Sequence, residues 1–160
     1  MSNPYAKYLG QRNPIEVLAA TPARLAGFVA ALGPERVNRA PAPGKWSVRE
    51  ILGHLADCEL AFGFRLRQMI AEEHHVIQPF DQDKWAAAYA GYDASSALDA
   101  FSAGRRWNLL FLGSLPAAAY NRPVSHPERG EGVFRDYVEL LAGHDVNHLG
   151  QIEAMREAAG

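Results

Sequence analysis

Leu141-Ala142-Gly143-His144-Asp145-Val146-Asn147-His148-Leu149-Gly150-Gln151-Ile152 is the stretch on which the reading of this chain turns. His144 and His148 stand four residues apart. On an α-helix that spacing puts two side chains on one face, with Cβ atoms about 5–6 Å apart. The same face carries Phe134, Tyr137 and Leu141 before the pair and Ile152 and Met155 after it. A histidine pair on a solvated face would lie among charges, whereas this one lies in the stripe that a helix turns toward a core. Two imidazoles so placed can share one metal ion at N–metal distances of about 2.0–2.1 Å. The predicted helix covers about Phe134 to Ala158.

A second predicted helix repeats the logic. Ser47-Val48-Arg49-Glu50 is a capping box, in which the Ser47 hydroxyl accepts from the Glu50 N–H and the Glu50 carboxylate reaches back. The helical pattern runs from there to about Glu72, with Ile51, Leu55, Cys58, Phe62 and Met69 as its buried stripe. His54 sits on or beside that stripe. Packed face to face, the two helices bring His54, His144 and His148 together in an apolar interior. Buried polar groups need partners. One reading is three hydrogen-bonded core histidines. The other is a divalent metal ion on three imidazoles with open coordination positions, the pattern of a catalytic site. Cys58, four residues after His54, would close the site as a structural one if its sulfur were a fourth ligand. Its expected role is that of a small core hydrophobe, and burial argues against a reactive thiol.

Working outward, a first helix is predicted from about Pro14 to Leu32, with Leu18, Leu25, Phe28, Val29 and Leu32 as its apolar positions. Thr21-Pro22 reads as a break and a new N-cap, and Gly33-Pro34 as its end. Residues 38–45 form a loop by composition. A third long helix starts at Asp93 as N-cap, carries Leu98, Phe101, Leu109 and Leu112, and stops at Gly113 to Pro116. Residues 74–93 are expected to be irregular, with a short helix over Asp83 to Tyr89, and residues 117–132 to form a loop. No stretch alternates with period two. Four long amphipathic helices predict an all-α four-helix bundle in a single domain spanning residues 1–160. The two long connections are expected to cover one end of it, where sites gather.

Composition narrows the function. The net charge of −2 gives no basic footprint for nucleic acid. No run of about 20 mostly apolar residues reads as a membrane span. Residues 1–7 lack an apolar signal region, and the single cysteine rules out an internal disulfide, so the expected setting is cytoplasmic. Asp81 and Asp83 are candidate catalytic carboxylates in the first long connection, against the alternative of helix capping and loop solubility. Asp57 and Asp145, close in sequence to the histidines, are candidates for orienting an imidazole through its second nitrogen. His74-His75 are expected to be structural or solvated, and His126 an ordinary loop residue. Trp46 and Trp85 are expected to anchor loops, Trp107 and Phe111 to lie in the core or an interface, and Arg105-Arg106 to lie on a solvated face.

Two runs resemble a known family. Residues 43–57, from Pro43-Gly44-Lys45-Trp46-Ser47 through His54-Leu55-Ala56-Asp57, are similar to the start of the second helix of the DinB/YfiT-like superfamily. Residues 141–152 are similar to its final helix. Pro79-Phe80-Asp81-Gln82-Asp83-Lys84-Trp85 and His126-Pro127-Glu128 resemble its DinB-like branch more weakly. The resemblance implies an up-down-down-up bundle, a homodimer, and a nickel or zinc ion on His54, His144 and His148. It also implies a reaction class that includes thiol S-transfer. A low-molecular-weight thiol co-substrate would be held as thiolate on the ion and attack an electrophilic small molecule. The alternatives are a metal-dependent hydrolase and a non-catalytic, metal-stabilised stress-response or dimerisation module.

Overall fold

Three of the four long helices begin where a side chain can take up free N–H groups. Asn13 accepts from Ile15 at 2.9 Å and Glu16 at 3.4 Å, with Pro14 at the first helical position. Asp93 accepts from Ser96 at 2.8 Å. The capping box forms as read, with Glu50 N donating to Ser47 Oγ at 3.3 Å and Ser47 N donating to Glu50 at 2.7 Å. The computed structural model describes residues 1–158. In chain order its helices are α1 (Ala6–Leu9), α2 (Pro14–Asn38), α3 (Val48–Ala71), α4 (Gln82–Ala86), α5 (Ala94–Ser114) and α6 (Phe134–Glu157). Its strands are β1 (His75–Val76), β2 (Pro123–His126) and β3 (Gly130–Val133). Short 3₁₀ turns cover Tyr89–Gly91 and Ala117–Asn121.

Side-chain pairings fix the helix directions. Glu59 meets Arg105 and Arg67 meets Phe111, so α3 and α5 run the same way. His54 meets His148 and Arg65 meets Tyr137, so α3 and α6 run oppositely. Arg36 reaches Arg156 near the ends of α2 and α6, while Ile15 and Val138 share a groove near their starts, so those two are parallel. The order is therefore up-down-down-up: α2 and α6 one way, α3 and α5 the other.

Three local expectations are corrected. Pro22 does not break α2. A proline leaves the carbonyl four residues earlier without its helical N–H, and here that carbonyl, Leu18 O, accepts from Arg105 Nη1 at 3.0 Å. Gly33 (φ 72°, ψ 168°) kinks the helix without ending it, and Pro34 restarts it toward Asn38. By length and composition α2 alone resembles a membrane span among the described residues, but its apolar stripe of Leu18, Leu25, Phe28 and Leu32 is buried in the bundle. The third correction is a small sheet in the two long connections, ordered β1-β2-β3. β1 is parallel to β2 (His75↔Val124), and β2 and β3 form an antiparallel hairpin (Val124↔Gly132). Strands of two to four residues are too short for period-two patterning to show.

A polar layer crosses the middle of the bundle between two apolar clusters. Leu25, Phe28, Leu52, Leu55, Phe101 and Leu149 lie in one cluster, and Leu18, Phe62, Leu66, Leu112, Phe134 and Leu141 in the other. Between them Arg105, expected on a solvated face, is buried. It donates to Glu59 from Nε at 3.0 Å and Nη2 at 2.8 Å, and to Asp145 from Nη1 at 2.5 Å and Nη2 at 3.1 Å. Asn108 donates to Glu59 Oε1 at 2.9 Å. Gly63 makes room for this layer, since a Cβ there would lie 2.7 Å from Asn108 Nδ2. Arg105 thus ties together α2, α3, α5 and α6. Replacing Arg105 by Met should destabilise the fold by about 3–5 kcal/mol, because two buried carboxylates lose their counter-ion. Urea unfolding measures this, and a loss under about 1 kcal/mol would contradict the assigned role.

Candidate metal centre

The first third of α3 and the middle of α6 carry the three histidines, and the antiparallel contact brings their rings into one buried cluster. His144 Nε2 lies 3.1 Å from His54 Nε2 and 3.1 Å from His148 Nε2. Two nitrogens each about 2.0–2.1 Å from one ion, at angles between about 90° and 110°, are about 2.9–3.4 Å apart. The spacing is therefore that of shared ligands. Cys58 Sγ lies 3.5 Å from His54 Nε2. The ligand atoms of His54, Cys58 and His144 all lie within 4.8 Å of one another, so the thiol stands in the same group of potential ligands. Aromatic rings wall the cluster: Trp46 lies 5.0 Å from the His54 ring, and Tyr5 and Phe62 stand edge-on to His144 at 5.2 and 5.6 Å. Tyr5 comes this close because position 143 is glycine; a Cβ there would lie 2.6 Å from Tyr5 O.

Burial sets the charge state. It pushes the His54 pKa down to about 3, with the His148 ring adding to the shift. It takes His144 well below the ordinary value and also lowers His148. All three rings are neutral at pH 7, as metal ligands must be. His148 Nδ1 lies 2.9 Å from Gln151 Oε1. An amide oxygen only accepts, so in the neutral ring Nδ1 carries the proton and the Nε2 lone pair faces the cluster. Hydrogen bonding within the trio does not satisfy it. His144 Nε2 has one lone pair for two neighbours, and buried His144 Nδ1 has no partner among the described residues. Three converging neutral nitrogens fit a divalent ion.

A cavity of about 290 Å³ opens beside the cluster, lined by Cys58 and Arg65 of α3, by His144 of α6, and by His126, Glu128 and Arg129. The hairpin places the last three. His126, expected to be an ordinary loop residue, is buried here, and its Nδ1 accepts from Glu128 N at 3.1 Å. The expected carboxylates lie elsewhere. Asp81 caps α4, accepts from Asp83 N and Lys84 N, and pairs with Lys84 Nζ at 3.1 Å. Asp83 is exposed and lines a separate groove with Trp46 and Gln151. Asp57 faces the groove between α3 and Tyr92, and burial raises its pKa. Asp145 spends both oxygens on Arg105 and donates no support to an imidazole nitrogen. The residue that orients an imidazole is Gln151, and the carboxylate at the cavity is Glu128. The i, i+3 spacing of His148 and Gln151 was the available signal for the first. No sequence signal marks the second, because it depends on a hairpin pairing.

Protonation links the cluster to stability. The unfolded chain takes up protons near pH 6.5, whereas the folded imidazoles resist until far lower. Between about pH 6.5 and 3 the unfolded state therefore binds more protons, and metal-free protein loses stability as pH falls through that window. Each such histidine contributes up to about 1.4 kcal/mol per pH unit. In chelator-treated protein, His144→Phe should flatten the dependence of unfolding free energy on pH between 7 and 5. A slope equal to that of the parent protein would contradict the buried neutral state of His144.

Three comparisons place the chain. The DinB superfamily profile matches residues 18–152. A protein of Oceanobacillus iheyensis designated "Putative metal-dependent hydrolase" is 32% identical over 139 residues, covering 84% of this chain and 78% of that protein. A Bacillus mycoides protein of the same designation is 29% identical over 148 residues, covering 89% and 83%. Among solved structures, YfiT from Bacillus subtilis, described as "a probable metal-dependent hydrolase with an unusual four-helix bundle topology", superposes with a TM-score of 0.84 at 23% identity. That match covers 92% of this chain and 86% of YfiT. The matched residues 18–152 take in His54, His144 and His148 and most of the length, and this chain belongs to the DinB superfamily.

Proposed function

We propose that this protein is a metal-dependent hydrolase whose ion is held by His54, His144 and His148. The observation that carries the reading is the convergence of three neutral, buried imidazole nitrogens beside a cavity that also holds a carboxylate. The designation of the relatives supports the same reaction class. Imidazole suits zinc and nickel alike. A bound divalent ion supplies Lewis acidity, polarising a carbonyl or phosphoryl oxygen and acidifying water.

The chain's own groups then divide the work. Gln151 keeps the His148 lone pair aimed at the cluster. Glu128 accepts a proton at the cavity wall. His126 takes the Glu128 N–H at Nδ1, so its neutral ring carries a proton on Nε2 and donates from there. Burial and the neighbouring Arg129 and Arg65 lower its pKa and keep it neutral. The Cys58 thiol, its pKa raised by burial, stays protonated and lines the site without attacking. A second reading is thiol S-transfer, supported by Arg65 and Arg129 at the cavity, which suit a carboxylate-bearing thiol.

The two readings separate in one assay set. Protein purified without a histidine tag should contain about one divalent ion per chain. It should hydrolyse members of an ester and amide panel without added thiol, and lose turnover on chelation. Glu128→Gln should lower kcat by about 10²- to 10⁴-fold with metal content unchanged. Turnover only with an added low-molecular-weight thiol would favour the transferase, and full metal content in His148→Ala would break the ligand assignment.

We also infer that a second copy covers one face of the bundle. Leu60 and Phe64 of α3 and Trp107 and Leu110 of α5 are 70, 61, 65 and 63% exposed on neighbouring parallel helices. Clustered apolar exposure of this kind marks an interaction surface, and a homodimer buries the same patch from both sides. Trp107→Lys should shift the protein to monomer in light scattering, and an unchanged mass would exclude this face.

A further inference from the structure

Arg65 is buried, 8% exposed, and has no carboxylate partner among the described residues. The contrast with Arg105 is direct, since Arg105 at similar burial holds two. A guanidinium removed from water without counter-charge is costly. Arg65 is given partial substitutes: it donates to Tyr137 Oη at 3.3 Å and to Gln78 O, and lies over the Phe80 ring at 5.2 Å. None of these carries charge. Arg129, half-buried on the hairpin, likewise enters no ion pair among the described residues. Both line the cavity that holds His144.

The charge there does not balance. Glu128 is the one carboxylate on the lining, and it lies within 4.0 Å of neither guanidinium nitrogen. Two cations face one anion in a partly water-excluded pocket, and a divalent ion on the histidines would add to the positive sum. Such a cleft concentrates anions. Tyr137, whose oxygen accepts a hydrogen bond from Arg65, is buried, and its own hydroxyl proton is left to donate. At about 290 Å³ the space is at the small end of ligand pockets and suits a small molecule. Phe62, Phe80 and Leu140 give that molecule's body an apolar wall.

We propose that Arg65 and Arg129 form an oxyanion clamp, so that the substrate is a small molecule with a carboxylate or phosphate at one end and its reacting bond at the His144 side. This rests on the hydrolytic reading for the reacting end only; the clamp itself is a property of the cavity.

The test therefore uses binding to metal-free protein, in which no turnover can occur and no ion can capture the anion. Benzoate and phenyl phosphate are the charged probes and benzamide the neutral one, followed by calorimetry. Benzoate or phenyl phosphate should bind at least about tenfold more tightly than benzamide, through charge-assisted hydrogen bonds. Which of the two is tighter identifies the head group. Arg129→Gln, at a half-buried position, should remove most of that preference while leaving metal content unchanged. Arg65→Lys, which keeps the charge but loses the fork, should reduce it in part. Equal binding of benzoate, phenyl phosphate and benzamide would overturn the clamp, and so would an undiminished anion preference in both variants. Anion preference in a protein that hydrolyses nothing when metal-loaded would uphold the clamp and remove the hydrolytic reading.

Discussion

A single guanidinium holds the frame. Arg105 contributes from α5, takes the Leu18 carbonyl of α2, grips Glu59 of α3 from two nitrogens and binds both oxygens of Asp145 on α6. Glu59 follows Cys58, and Asp145 follows His144. Sliding α3 against α6 by one turn would move these partners by about 5.4 Å and leave charge buried without compensation. The Arg105 network therefore fixes the register that brings the histidines together. A buried ion network is weak evidence of net stability, and its best-attested use is the choice of one arrangement among near alternatives. Its position one residue away from two of the cluster's side chains fits that use.

The histidine cluster and the Arg105 network are two parts of one polar layer built on opposite principles. Around Arg105 both carboxylates share one guanidinium. Around His144 neutrality is enforced by burial, and lone pairs converge with too few protons between them. The first arrangement is complete without a ligand, whereas the second calls for one. The cavity beside it carries the same kind of deficit in Arg65. The deficits at His144 and Arg65 thus meet on one cavity, between α3, α6 and the hairpin.

Much of this was legible in the chain itself. Capping at Ser47 and Asp93, the stripes of α3 and α6 and the His144–His148 spacing are local patterns, and local patterns survive folding when tertiary packing agrees with them. What the sequence hid is non-local. Arg105 beside Arg106 looks like a solvated pair, and only the approach of Glu59 and Asp145 turns one of them inward. Pro22 looks like a helix break, and only a donor from another helix makes it harmless. Asp81 and Asp83 are acidic residues in a suitable loop, but the first serves its own helix and the second faces a different groove. Glu128 reaches the cavity through a hairpin of two four-residue strands whose pairing leaves no periodic trace.

The parallel course of α3 and α5 carries a consequence for how such a protein can change. A chain leaving the end of one helix must travel back along the bundle before starting the other, and residues 72–93 make that journey across the histidine-bearing side. Pro79 and Phe80 on the way supply cavity wall, and Tyr89 packs over Gly53. The return strap is obligatory for the topology, yet it donates nothing to the cluster itself. Its length and side chains are therefore free to drift while the imidazoles stay put, so one frame can be refitted to new molecules by editing a tether.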